Sequence, residues 1–328
     1  MKKMVLVVLM SVVALWGFGG AAFAKKPVTL RLAEIHDANY PTTIVDFEIA
    51  KLVKQRTRGR VVIEVYHSMK LGDEAAVIKK VQEGEIDLTR INIGPVTKYV
   101  PVLNAFLMPY IFRNTEHLLE IINGEIGDEV LNSVEKSAFI GFGWFDGGTR
   151  NFYTKRPIRT PADIKGMKIR TVQSQLMVAM IEAMGAVAVP MPHGETYAAL
   201  KSGAVDGAEN NYPTYDEAGH YQLARYFLQD EHTRSPDIII GSLKSLATKL
   251  SVEDIEIIKK AARDTQMMQF KLWAEAVMKA KSRVIAAGCS VAVPTPSQKQ
   301  AFIDAARPVY DAQPAAIKEL VNRIKEVR

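Results

Sequence analysis

The sequence predicts an α/β protein of two similar lobes, and three observations support this. β-branched segments alternate with segments of helical periodicity, an order that favours parallel sheets covered by helices. The segments 81–87 and 200–206 share the same succession of helix end, glycine, apolar residue and aspartate. The segment 251–287 contains neither proline nor glycine and predicts a helix of about 50 Å, long enough to run across both lobes.

The first half of the chain supplies one set of elements. Pro41 suits the first turn of a helix, Asp73 is a good N-cap, and Gly84 is a helix stop. These signals and the apolar spacing predict strands over 28–34, 60–66 and 86–93 and helices over 41–56 and 73–84.

The second half of the chain shows the same alternation of strand and helix signals. Ser174 is a candidate N-cap, and Gly185 and Gly203 are helix stops. We therefore predict strands over 167–172, 187–190 and 204–209 and helices over 174–184 and 195–202. His193-Gly194-Glu195 is interpreted as the start of the second of these helices.

The N-terminus predicts an export signal. Two lysines precede an apolar stretch over 4–18, and Ala22-Phe23-Ala24 matches the small-x-small pattern of signal-peptide cleavage. The apolar stretch is shorter than the ~20 residues that a membrane-spanning helix needs. We expect a signal peptide over 1–24, cleavage after Ala24, and a mature protein outside the cytoplasm.

Composition and motifs exclude several classes of protein. The chain has 48% hydrophobic and 24% charged residues, which is typical of globular proteins, and its single cysteine rules out a disulfide framework. Its net charge of +6 includes no basic run that would indicate nucleic acid binding. The sequence has no nucleophile elbow, zinc-binding helix or phosphate loop, and its histidines lack metal spacing. We expect no enzyme, cofactor or metal, with a secreted hydrolase as the alternative from another class.

Two arginines are candidates for an anion site. Arg170 lies inside a predicted strand, where a buried charge without a partner costs several kcal/mol. It is therefore exposed, paired with an internal acid, or available to an anion. Arg150 follows a pair of glycines, and a guanidinium matches a carboxylate bidentately. Asn210 and Asn211 end a strand, where ligands bind in such sheets, although a turn is the alternative for them.

Several motifs together resemble the DctP-type substrate-binding proteins of tripartite ATP-independent periplasmic (TRAP) transporters. The motifs are Leu71-Gly-Asp-Glu74, Gly148-Thr-Arg-Asn151, Pro161-Ala-Asp-Ile-Lys-Gly-Met-Lys-Ile-Arg170 and Val205-Asp-Gly-Ala-Glu-Asn210. The resemblance implies a two-lobed periplasmic binding protein of type II-like architecture, with hinge crossovers and a long helix spanning both lobes. Lobe I would comprise 25–147 plus 236–275, and lobe II 148–235 plus 276–328.

The same resemblance implies a function and a clamp. The protein would capture a small organic acid and deliver it to a TRAP membrane permease. Arg170 would fix the ligand carboxylate, Arg150 would be a supporting cation, and Asn210 would hydrogen-bond the same region.

A narrower resemblance concerns the ligand. His36-Asp-Ala-Asn-Tyr40, Val65-Tyr-His-Ser68 and Gly207-Ala-Glu-Asn-Asn-Tyr-Pro-Thr-Tyr215 resemble the subgroup that binds hexuronates such as glucuronate and galacturonate. A C4-dicarboxylate or a 2-oxo acid is the alternative ligand. The candidates for contacts with ligand hydroxyls are His36, Glu74, Arg90, Asn92 and Gln173. Glu74 could instead interact with the N-terminus of its own helix, and Arg90 could instead pair with Asp87.

Overall fold

The computed structural model describes residues 26–327, which form two β-sheets flanked by helices. The predicted signal peptide and its cleavage site lie outside the described residues. The strands are β1 (Val28–Ala33), β2 (Val61–Tyr66), β3 (Leu88–Asn92), β4 (Phe139–Phe145), β5 (Thr149–Thr154), β6 (Lys168–Thr171), β7 (Val187–Pro190), β8 (Gly207–Asn210), β9 (Tyr226–Arg234), β10 (Asp237–Ser242) and β11 (Ser290–Ala292). The helices are α1 (Pro41–Arg56), α2 (Glu74–Glu83), α3 (Ile93–Val96), α4 (Asn104–Leu107), α5 (Thr115–Asn123), α6 (Glu125–Ser133), α7 (Pro161–Ile164), α8 (Gln175–Ala183), α9 (Thr196–Ser202), α10 (Tyr212–Glu217), α11 (Leu243–Lys249), α12 (Val252–Ala286), α13 (Pro296–Ala305), α14 (Arg307–Asp311) and α15 (Ala315–Glu326).

The two sheets confirm the predicted two-lobed α/β fold. The first has the strand order β2-β1-β3-β10-β4 and the second β11-β9-β5-β8-β6-β7. We call the parts built on them the first and the second lobe. Strands β1 to β3 and strands β6 to β8 are parallel, as expected, but β10 and β5 are antiparallel to their neighbours in the first and second sheet, respectively. Both sheets are therefore mixed, because each of these two strands enters directly from the other lobe rather than through a helical crossover.

The repeated sequence pattern has the same structural role in each lobe. In both copies a left-handed glycine ends the helix, α2 in one lobe and α9 in the other. The aspartate that follows accepts a hydrogen bond from the backbone of the neighbouring parallel strand. Asp87 accepts from Arg31 N at 2.8 Å, and Asp206 accepts from Lys168 N at 2.8 Å.

The long helix α12 connects the lobes as predicted. It has 35 residues and begins at a capping box between Ser251 and Asp254. It packs on α1 and β4 of the first lobe and on α10 of the second. At its middle, the side-chain amide of Gln269 accepts from Asp146 N at 3.0 Å and donates to Asp146 O at 2.8 Å. The helix thus holds the chain where it leaves the first sheet.

Two short segments carry the chain between the lobes, 146–148 after β4 and 235–236 after β9. Gly148 has a φ of +77°, and a Cβ atom there would lie 2.7 Å from the Trp273 ring. Only glycine fits this crossover without a shift of α12.

The predicted cap at Ser174 is not formed. Ser174 stands at the N-cap of α8 but makes no capping hydrogen bond with its side chain.

The C-terminal helix α15 packs against α4, which lies among first-lobe elements. The imidazole of His117 contacts Ile324 O at 3.0 Å. No helix within 26–327 combines the length and the apolar character required to cross a bilayer.

Candidate ligand-binding site

A cavity lies between the two sheets, at the carboxyl ends of their parallel strands. Its empty volume, including space that is open to solvent, is about 420 Å³. Its walls come from both lobes, one crossover and α12, and they consist of Ile35, His36, Tyr40, Glu74, Asn92, Gly147, Arg150, Arg170, Val172, His193, Asn210, Asn211, Thr214, Asp237 and Trp273. Two larger cavities in the described chain, one beside α6 and α12 and one beside α15, contain neither predicted arginine. The position between strand ends is the one expected for a ligand site in an α/β protein.

Arg170 is a buried cation with no acidic partner among the described residues. Its side chain extends from β6 and the residue is 1% exposed. Nη2 donates to Met191 O at 2.7 Å, whereas the buried Nε has no hydrogen-bond partner in the described chain. Burial lowers the pKa of Arg170, although Glu209 and Glu74 act in the opposite direction. A guanidinium stays protonated in proteins, so this site retains an uncompensated positive charge.

Arg150 is buried as well, but it forms an ion pair with Glu209. Its Nη2 donates to Glu209 Oε1 at 2.8 Å, and Nη1 donates to Asn210 Oδ1 at 3.3 Å. Burial opposes charge on Glu209, yet Arg150 and His232 hold the pKa of this carboxyl below its ordinary value. The charge of Arg150 is therefore compensated within the protein.

Arg90 lies behind the wall of the cavity and is not among its lining residues. It forms ion pairs with Glu34 and Asp237, and its Nε lies 3.5 Å from Asp46 Oδ2. The alternative of an Arg90–Asp87 pair is wrong, because Asp87 instead contacts Lys249 and Ser245. Arg90 holds Asp237, which does line the cavity.

Three asparagines line the cavity and also make hydrogen bonds within the protein. Asn210 Oδ1 accepts from Arg150 and from Asn211 N at 2.9 Å. Asn211 caps α10, donating to Gly147 O at 2.9 Å and accepting from Thr214 N at 2.8 Å, so both ends of its amide are used. Asn92 caps α3 and donates to Asp237 Oδ1 at 3.2 Å.

Glu74 and His36 bring first-lobe side chains to the cavity. Asp73 Oδ1 accepts from Ala76 N at 2.9 Å and so supplies the cap of α2. Glu74 Oε2 instead accepts from His193 N of the second lobe at 3.4 Å. The His36 ring stacks on Tyr40 with 3.8 Å between centroids. Gln173 is not among the lining residues, and its buried Oε1 has no hydrogen-bond partner in the described chain.

Three further contacts join the lobes near the cavity. Tyr40 Oη and Thr214 Oγ1 are 3.0 Å apart. His36 Nδ1 lies 3.2 Å from Glu217 Oε2, and Asp37 N donates to the same carboxylate at 3.4 Å. The structure therefore shows the lobes in contact across the cavity.

Sequence reasoning missed several lining residues, among them His193, Asp237 and Trp273. His193 was interpreted only as a helix start, and it does lie in the short 3-10 turn before α9. Burial lowers the pKa of His193 well below its ordinary value, with His36 and Arg170 acting in the same direction. His193 follows β7, so its place at a strand end was a usable signal. Asp237 and Trp273 had no such signal, since they reach the cavity from the first residue of β10 and from the middle of α12.

Some aromatic side chains reach the cavity and others are buried in the core. Tyr40 and Trp273 line the cavity, whereas Trp144 is a core residue whose Nε1 donates to Gly127 O at 3.0 Å. Tyr212 and Tyr215 belong to the core beneath α10.

In the part of the chain that the structure describes, no group of three or more His, Cys, Asp or Glu side chains is arranged to hold a metal ion.

Comparisons with known proteins identify the family of this chain. The model of the family "DctP: bacterial extracellular solute-binding protein, family 7" matches residues 32–316. A solute-binding protein of Chromohalobacter salexigens is 36% identical over 295 residues, which is 90% of this chain and 87% of that protein.

Two crystal structures of TRAP periplasmic solute-binding proteins are also similar. One, from a Bradyrhizobium species in complex with D-galacturonate, has a TM-score of 0.88 and 38% identity, covering 91% of this chain and 100% of that one. The other, from Pseudomonas putida F1 with bound D-glucuronate, has a TM-score of 0.88 and 35% identity, covering 92% and 97%. The chain therefore belongs to the DctP family of extracellular solute-binding proteins, and it is a periplasmic TRAP-type binding protein rather than an enzyme.

Proposed function

We propose that this protein captures a hexuronate of the glucuronate or galacturonate type and delivers it to a TRAP membrane permease. The observation that carries the proposal is the uncompensated charge of Arg170 in the cavity between the lobes. A carboxylate would provide the missing partner through charge-assisted hydrogen bonds. The hexuronates bound by two similar proteins have this group.

The remaining polar residues suit a sugar acid. Asn210 and the compensated Arg150 would contact the carboxylate region, and His36, Glu74 and Asn92 would contact hydroxyls. Arg90 and Gln173 would act from behind the residues that line the cavity. Asn211 would shape the site through its hydrogen bond to Gly147 O in the crossover.

We propose that binding is coupled to closure of the lobes. The crossovers 146–148 and 235–236 would be the hinges between lobe I (25–147 plus 236–275) and lobe II (148–235 plus 276–328). Only the closed form offers contacts from both lobes, so ligand binding would favour it. Although 276–328 is assigned to lobe II, α15 packs on α4 of lobe I and would therefore move with lobe I. Removal of the signal peptide after Ala24 would precede these events.

A thermal-shift panel tests the proposal. Glucuronate and galacturonate should raise the melting temperature, because a ligand at 100 times its Kd stabilises by about 2.7 kcal/mol. C4-dicarboxylates and 2-oxo acids should not. The Arg170→Lys variant should bind the uronates ~10-fold more weakly, since an ammonium replaces the bidentate fork. Stabilisation by a dicarboxylate or an oxo acid alone would contradict the proposal.

A further inference from the structure

The second-lobe wall of the cavity carries an excess of positive charge. Arg150 and Arg170 line the cavity, and His232 lies behind them, with its imidazole at 2.9 Å from Asp230 and at 3.5 Å from Glu209. Burial opposes charge on His232, but these two carboxylates raise its pKa to about 9. Three cations therefore face two carboxylates in this wall.

The first-lobe wall carries the opposite charge. Glu74 and Asp237 line the cavity, and Glu34 and Asp46 lie behind them around Arg90. Burial raises the pKa of Asp46 well above its ordinary value, so Asp46 is left out of the charge count. Three carboxylates still face one guanidinium.

A carboxylate of the second lobe adds to this negative charge. Glu217 approaches the first-lobe wall, with its Oε2 at 3.2 Å from His36 Nδ1. The cavity is therefore polarised from one wall to the other.

This distribution of charge determines which groups of a ligand each wall attracts. Arg170 attracts a carboxylate, and a ligand held there would share the cavity with the first-lobe carboxylates of Glu74 and Asp237. Hydroxyl groups can donate hydrogen bonds to these oxygens, whereas a second carboxylate only accepts and would be repelled. Asp237 already accepts bonds from Arg90 and Asn92. Within residues 26–327, Glu74 makes one side-chain hydrogen bond, at 3.4 Å, so its oxygens are the freer ones.

We infer that Glu74 is a specificity residue that restricts the cavity to sugar acids with one carboxylate and rejects diacids of the same length. The inference rests on the proposed function and adds to it, because it names the class of acid that is excluded. Glu74 would act by two effects of the same charge, acceptance from hydroxyls and repulsion of a second anion.

The test compares galacturonate with galactarate, which has the same six carbons and a carboxylate at each end. Calorimetric titration should show the wild type binding galactarate ~100-fold more weakly than galacturonate. The isosteric variant Glu74→Gln should weaken galacturonate and strengthen galactarate, changing this ratio by ~10-fold or more. Gluconate and glucarate form a second, open-chain pair that separates charge from ring closure.

Glu83→Gln is the matched control, because it removes the same charge from the exposed end of the same helix. It should leave the ratio unchanged. A wild type that binds galactarate as tightly as galacturonate, or a Glu74→Gln variant with an unchanged ratio, would overturn the inference alone. A wild type that binds no uronate would contradict the proposed function itself.

Discussion

Arg150 and Arg170 are both buried in the same sheet, separated by one strand, yet their surroundings differ. Arg150 forms an ion pair with Glu209, and Arg170 donates to a backbone carbonyl and faces the cavity. Glu209 outweighs the effect of burial and raises the pKa of Arg150, whereas burial lowers the pKa of Arg170. The comparison teaches that a charge with an internal partner builds the wall of a site, and a charge without one is available for a ligand.

The largest effect expected from this comparison follows loss of the internal partner. The variant Glu209→Gln leaves Arg150 and His232 buried without their shared carboxylate, and Thr171 Oγ1 loses a charged acceptor at 2.9 Å. Removing one member of a buried ion pair costs about 3–5 kcal/mol. Urea denaturation of the ligand-free protein should show a decrease of this size in the free energy of unfolding.

Glu182→Gln serves as the control, since Glu182 is an exposed residue of α8 in the same lobe. It should change the free energy of unfolding by less than about 0.5 kcal/mol. Equal stabilities of the Glu209→Gln and Glu182→Gln variants would mean that Arg150 needs no internal partner, and the comparison would lose its basis.

The pH dependence of the free energy of unfolding tests the charge of His232, the second cation that pairs with Glu209. Its pKa in the folded protein is about 9, above the unfolded value of about 6.5, so its contribution to stability is fully present below pH 6.5. That contribution is lost as the pH rises towards 9 and beyond. The wild type should exceed His232→Gln by about 3 kcal/mol at pH 6, and the difference should shrink by pH 9.5. Denaturation of both proteins across this range is the measurement, and a constant difference would show that folding leaves the pKa of His232 unchanged.

Local signals in the sequence were sufficient for most elements of the fold. Pro41 and Asp73 mark helix starts that the structure reproduces, and the glycines that end α2 and α9 adopt the left-handed conformation expected of them. These features depend on a few neighbouring residues, so periodicity and capping rules describe them well. The mixed character of the sheets could not be predicted from them, because it depends on where the chain crosses between lobes.

The site was predictable only in part. Arg170 was distinguished by a charge inside a strand together with the family resemblance, but the sequence alone left an internal salt bridge open. The partners of Arg90 come from three separate segments of the chain, and Trp273 reaches the cavity from the distant helix α12. Such contacts are set by the packing of the lobes, which no local pattern records.

The most direct measurement of the central claim is the variant Arg170→Met, examined for both stability and ligand affinity. Because Arg170 has no acidic partner in the described chain, the free energy of unfolding of the ligand-free protein should fall by no more than about 1.5 kcal/mol, the value of its bond to Met191 O. Affinity for galacturonate should fall ~100-fold or more. A variant that binds galacturonate like the wild type, or one that loses several kcal/mol of stability without ligand, would contradict the assignment of Arg170 as the ligand's anchor.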